Sequence, residues 1–187
     1  MTSYRDLPMG YRPALELNLQ TDSRLRHGIA INTALIWLIM CLVGNYVQPV
    51  RKYLRGELDQ AAYAFIGIIL YMILHECIHG IFMWLFSGER AYLGIKPPFT
   101  YARSTNYFCK KQYLLIALAP TLLMTTLLAV LCQLSMDTQW FWTFYLVEIV
   151  NISGAVSDLY VVFRFWKLPP KVLIHDSGTA ITLYVTG

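Results

Sequence analysis

Four long apolar runs, 28–47, 61–86, 113–136 and 140–165, constrain this chain more than any other feature. A bilayer's hydrocarbon core is about 30 Å thick and a helix rises about 1.5 Å per residue, so about 20 apolar residues cross it. Each run is long enough. The composition agrees, because a hydrophobic fraction of 57%, a charged fraction of 14% and a mean hydropathy of +0.47 lie outside the usual soluble range. The expected fold is all-α: one polytopic membrane bundle of about four transmembrane helices over residues 1–187. A segment 1–27 precedes the spans and a tail 166–187 follows them. No internal repeat, low-complexity tract or second domain is visible.

The first run reads as a retained signal anchor, since a polar and charged segment precedes it and no A-x-A-like cleavage site follows in "CLVGNYVQPV". Lysines and arginines set the orientation. Arg5, Arg12, Arg24 and Arg26 precede span one, and Arg90, Lys96, Arg103, Lys110 and Lys111 separate spans two and three. Arg164, Lys167 and Lys171 close the chain. With both termini cytoplasmic, these twelve lie inside, against three outside: Arg51, Lys52 and Arg55. The formal charge of +4 then expresses positive-inside bias, and no nucleic-acid partner is expected. Cys41, Cys77, Cys109 and Cys132 form no C-x-x-C pair and three sit in spans, which argues against a disulfide framework or a thiolate zinc site.

Span two carries "YMILHECIHGIFMWLF" at 71–86, in which His75, Glu76 and His79 spell H-E-x-x-H. A four-residue helical step turns about 400°, leaving the imidazoles about 40° apart, one turn apart. That spacing lets two side chains share one metal ion. Zinc takes imidazole nitrogen at about 2.0–2.1 Å, and its catalytic sites pair three protein ligands with a water. Glu76, beside the first ligand, is placed to act as general base on that water. With four His among 187 residues, the pattern arises by chance on the order of two times in a thousand. The plainer alternative is a polar pair packed inside the bundle. Against it stands the rarity of ionisable groups in spans without a function.

A third ligand must come from elsewhere, and span four offers Glu148 and Asp158. Spans two and four both run outward to inward in the assigned orientation. His79 and Asp158 each precede the end of their run by seven residues, or about 10 Å of helix rise, so they meet at one depth. Glu148 lies about 15 Å higher and roughly 80° off the Asp158 face, which suits a packing or access-path carboxylate. "NISGAVSD" adds Asn151, Gly154 and Ala155 near the Asp158 face, small enough for close helix approach. A carboxylate bonded to a neighbouring span is the alternative for Asp158. His175 and Asp176 in "IHDSGTA" are backup ligands. Two neutral imidazoles, Zn²⁺ and the carboxylates of Asp158 and Glu76 sum to zero charge, far less costly in lipid than any charged member alone.

These residues carry a resemblance. "HECIHG" at 75–80, "KKQYLLIALAP" at 110–120 and "GAVSDLYVVFRFWKLPP" at 154–170, with "HDSG" beyond, resemble a family of small bacterial zincin peptidases, distantly like the site-2 intramembrane metalloproteases. The resemblance implies a zinc endopeptidase of the bacterial inner membrane, with His75, His79 and Asp158 as ligands and Glu76 as base. Its substrate would be a membrane-associated protein or peptide. Asn151 corresponds to a substrate contact, although here Gly154 follows Asn151 where site-2 proteases carry Pro, and Leu159 follows Asp158 where they carry Gly.

Between spans two and three, "SGERAYLGIKPPFTYARSTNYFCKK" is too aromatic for a flexible linker. Gly88, Gly94, Pro97 and Pro98 break helix, while Tyr92, Phe99, Tyr101, Tyr107 and Phe108 suit the bilayer surface. A short cytoplasmic-side hairpin or re-entrant strand is expected, to which an extended substrate could add a strand; an anchoring interfacial loop is the alternative. Pro120 in "IALAPTLL" bends span three and frees a backbone carbonyl nearby. Four spans make a small bundle, with room for a second copy or a partner subunit. A non-catalytic adaptor, in which zinc only locks spans two and four, has the same ligands and differs only at Glu76. A di-iron membrane oxidase needs more than four histidines.

Overall fold

The structure is a computed structural model that describes residues 3–18, 21–51, 59–96 and 99–187. Lys52, Arg55, Pro97 and Pro98 lie outside the described residues. Helix α1 covers Ser23–Val47, α2 Asp59–Ser87, α3 Lys110–Leu134, α4 Trp140–Gly154 and α5 Val156–Trp166. Among the described residues, four stretches are long and apolar enough to cross a membrane: α1, α2, α3, and Trp140–Trp166, which α4 and α5 share. Large apolar side chains stay exposed along them, among them Ile31, Leu35, Leu42, Phe65, Ile69 and Leu122, as lipid-facing surfaces require.

The all-α expectation is corrected by six strands among the described residues: β1 Tyr11–Asn18, β2 Tyr92–Lys96, β3 Phe99–Arg103, β4 Tyr107–Cys109, β5 Val172–Asp176 and β6 Ala180–Thr186, of which β2 and β3 form the hairpin expected between spans two and three. Four of them form an antiparallel sheet in the order β1-β6-β5-β4, and β2 with β3 makes a separate hairpin. Leu15 and Leu17 alternate with Glu16 and Asn18 along β1, and Val172 to Ile174 are a buried run on β5, so both periods belong to strands. These segments are too short to register in windows the length of a span. Their partners are also remote: Tyr11 faces Thr186, and Phe108 faces Ile174.

Two compact units divide the chain. One comprises Met1–His27, Glu76–Pro120 and Asp158–Gly187, and the other Gly28–His75 and Thr121–Ser157. The first contains both sheets. Its core joins Phe108, Val172 and Ile174 of the four-stranded sheet to Met83 of α2, Ile116 of α3 and Phe165 of α5, all almost fully buried. Each such side chain contributes about 1.5–3 kcal/mol relative to exposure. Helix ends are fixed locally: Gly88 takes φ +74 just past α2 and its N–H bonds the Trp84 carbonyl at 2.7 Å, a left-handed cap that glycine tolerates. At the start of α3 the Gln112 Oε1 accepts the Cys109 N–H at 3.1 Å, half of a capping box. Lys110 Nζ donates to the carbonyls of Trp166 and Leu168 at 2.8 and 2.5 Å, a cation at the end of α5 where the helix dipole favours one.

In the second unit α1 and α4 pack at Gly44, where any Cβ would collide with the Tyr145 ring. Tyr145 donates to the Met40 carbonyl at 2.9 Å and Trp142 Nε1 to that of Gln48 at 3.0 Å. The expected fourth span is two helices, not one. Ala155 stands between them at φ −72, ψ 0, and Ser153 Oγ bonds back to the Ile149 carbonyl at 2.6 Å, a contact that bends helices.

Truncating Ile174 to Ala removes a fully buried side chain from the sheet core. Chemical denaturation in micelles should show a loss of about 2–5 kcal/mol.

Candidate metal centre

His75, Glu76 and His79 lie on the unbroken helix α2, so their mutual placement follows from helix geometry alone. His79 Nδ1 is 2.9 Å from the carbonyl oxygen of Ile116. A carbonyl can only accept, so in the neutral imidazole the proton sits on Nδ1 and the lone pair on Nε2. His75 Nδ1 lies 3.1 Å from the Tyr71 hydroxyl, one turn earlier, with the rings edge to face at 5.6 Å. A hydroxyl either donates or accepts, so this contact orients the His75 ring without choosing its tautomer. Both imidazoles are thereby held through Nδ1, as metal-binding histidines usually are through one ring nitrogen.

Asp158 stands in the first turn of α5, where the positive end of a helix favours a carboxylate. Its Oδ2 is 3.7 Å from His79 Nε2, the nitrogen that carries the lone pair when the imidazole is neutral. That is too long for a hydrogen bond. Two ligands of a tetrahedral zinc, each about 2.0–2.1 Å from the ion, stand roughly 3.4 Å apart, so the separation suits a shared ion better than a direct bond. One ligand atom each from His75, His79 and Asp158 all fall within 4.8 Å of one another. His75 is buried, and the His79 and Asp158 side chains are 12% and 25% exposed, leaving a restricted opening. Two imidazole nitrogens and one carboxylate are a donor set that zinc accepts, with its fourth position left for water. Glu76, partly buried, follows His75 directly.

The other sequence candidates have different neighbours. Glu148 is buried and accepts a hydrogen bond from Asn151 Nδ2 at 2.9 Å. Asn151, fully buried, gives the same nitrogen to Thr125 Oγ1 at 2.9 Å. A substrate contact through Asn151 would have to use Oδ1, which is sealed from solvent and has no hydrogen-bond partner among the described residues. His175 packs its ring on Tyr107 at 5.2 Å across the β4–β5 pair. Asp176 accepts from Tyr113 Oη at 2.6 Å and from the Gly178 N–H at 2.8 Å. Burial pushes its carboxyl above the usual range, against the pull of those hydrogen bonds. Neither tail residue joins the three-ligand cluster.

Three participants escaped the sequence reading. Tyr71 was findable, since Tyr71, His75 and His79 repeat every four residues on one face. Ile116 acts through the backbone carbonyl that Pro120 frees, which the sequence signals without naming its partner, and Tyr113 bonds the tail carboxylate of Asp176 outside the three-ligand cluster.

Replacing His79 or Asp158 by Ala should take zinc in purified protein from stoichiometric to well below it, while Glu148→Ala should leave it unchanged; elemental analysis reads all three. No curated protein and no solved structure matches the chain. Residues 68–173, which contain His75, Glu76, His79 and Asp158, match the family described as "Putative zincin peptidase". The match covers more than half of the chain, which therefore belongs to that zincin peptidase family.

Proposed function

We propose that the protein is a zinc-dependent endopeptidase that cuts a membrane-associated protein or peptide within or at the edge of the bilayer. The observation that carries this reading is the cluster of His75, His79 and Asp158 beside Glu76 on a helix apolar enough to span a membrane. Membership in a zincin family supports the peptidase class. Zinc, when bound by the three ligands, supplies Lewis-acid polarisation of the scissile carbonyl and an acidified water. Glu76 takes the proton of the attacking water and returns it to the leaving amine. Ile116 and Tyr71 keep the two imidazoles oriented through Nδ1.

The β2–β3 hairpin fits a substrate-docking role. A Cβ added to Gly80, the residue after His79, would lie 3.2 Å from Leu93 of β2, so the hairpin packs directly against the metal-site helix. Its two-stranded sheet has outer edges to which an extended substrate can add a strand. Strand pairing also bears on orientation. β1 pairs with β6 and β4 with β5, which supports a topology in which the segments before span one, between spans two and three, and after span four share one side of the bilayer. Those segments carry most of the lysines and arginines, which favours the cytoplasmic face of a bacterial inner membrane, with both termini inside.

Glu76→Gln should keep stoichiometric zinc and lower cleavage by about 10²- to 10⁴-fold. The assay is proteolysis of a transmembrane reporter in reconstituted vesicles, with metal content measured on the same sample. A zinc-loaded variant that cleaves at the wild-type rate would sink the mechanism. Wild-type protein that holds zinc but cleaves no membrane peptide would point to the adaptor role.

A further inference from the structure

The partner of His79 is a main-chain carbonyl inside a helix, and such a carbonyl is normally already engaged. In α3 the Ile116 carbonyl would accept from the N–H of the residue four positions later. That residue is Pro120, which has no N–H, lies inside the helix and is fully buried. The missing donor leaves the Ile116 oxygen with accepting capacity at a depth where water is scarce, and His79 Nδ1 fills it at 2.9 Å. His79, α3 as far as Pro120, and Asp158 belong to the same compact unit.

We infer that Pro120 is a positioning residue for the metal centre: by withholding an N–H from the Ile116 carbonyl it reserves that oxygen for His79 Nδ1–H, which fixes the ring and turns Nε2 toward Asp158. This rests on the reading of His79 as a metal ligand. The Ile116 carbonyl takes the place of the carboxylate that orients many ligating histidines. In hydrocarbon the substitution has a clear advantage, because a carbonyl orients the imidazole without adding a buried charge. Alanine at 120 restores the donor, and the helix then competes with His79 for one acceptor.

The test is zinc affinity, measured by chelator competition on the full-length protein in micelles. Pro120→Ala should weaken zinc binding by roughly 10- to 100-fold, the usual effect of losing such a partner. A second variant separates the missing donor from the ring: lactic acid placed at 120 by translation with a hydroxy-acid tRNA has neither N–H nor ring. It should bind zinc as the wild type does. The ¹⁵N spectrum of histidine-labelled, zinc-loaded wild type should show the His79 proton on Nδ1. Equal affinity of Pro120→Ala and wild type would overturn the inference while leaving the metal site intact. Equal weakening of the alanine and ester variants would overturn it in favour of the bend. A wild type whose zinc is unaffected by His79→Ala would overturn the underlying ligand reading as well.

Discussion

Asp158 approaches His79 to 3.7 Å within stretches that are otherwise almost wholly apolar, and much of the fold serves to make that approach tolerable. A carboxylate alone in hydrocarbon costs several kcal/mol, and a second one nearby costs more. A divalent ion held by the two imidazoles and Asp158, with Glu76 beside it, would change the sign of the problem, because such a cluster is neutral as a whole. The helices must still come close enough for one ion to touch all three ligands. The break at Ala155 begins a fresh helix just before Asp158, and the core of Met83, Ile116, Phe165 and the sheet clamps α2, α3 and α5 together around it.

The spans and the H-E-x-x-H trio were legible because both are local patterns. Apolar length reports a helix able to cross a bilayer, and a four-residue spacing reports one helical face. The depth comparison pairing His79 with Asp158 used only helix rise and parallel orientation, and the two side chains do lie side by side. The sheet was hidden for the opposite reason. β4 has three residues, β1 finds its partner at the far end of the chain, and a bundle reading treats both ends as tails. The place of Asn151 in a motif suggested substrate, and the structure adds that Glu148 and Thr125 engage its amide nitrogen in the packing of the second unit.

Backbone chemistry is the other layer that residue patterns record poorly. Pro120 announces a freed carbonyl but not which side chain will claim it. Only the packing of α3 against α2 shows that the claimant is a histidine whose remaining nitrogen faces a carboxylate. Tyr113 and Asp176 make a similar long-range link, joining the first turns of α3 to the end of β5.

The sheet order β1-β6-β5-β4 also governs how the protein can be made. During synthesis β1 emerges before the other described strands, and β6, its sole neighbour in the described sheet, emerges after them. Four stretches long and apolar enough to cross a membrane are made while that strand waits with an unpaired edge, the slow and aggregation-exposed condition of long-range pairing. β5 leaves the ribosome just before β6, and its buried side chains complete the core beneath α2, α3 and α5. The helices that carry His79 and Asp158 therefore receive this support only after both have been made, so a chain halted before β5 would hold the two histidines without a finished scaffold around them.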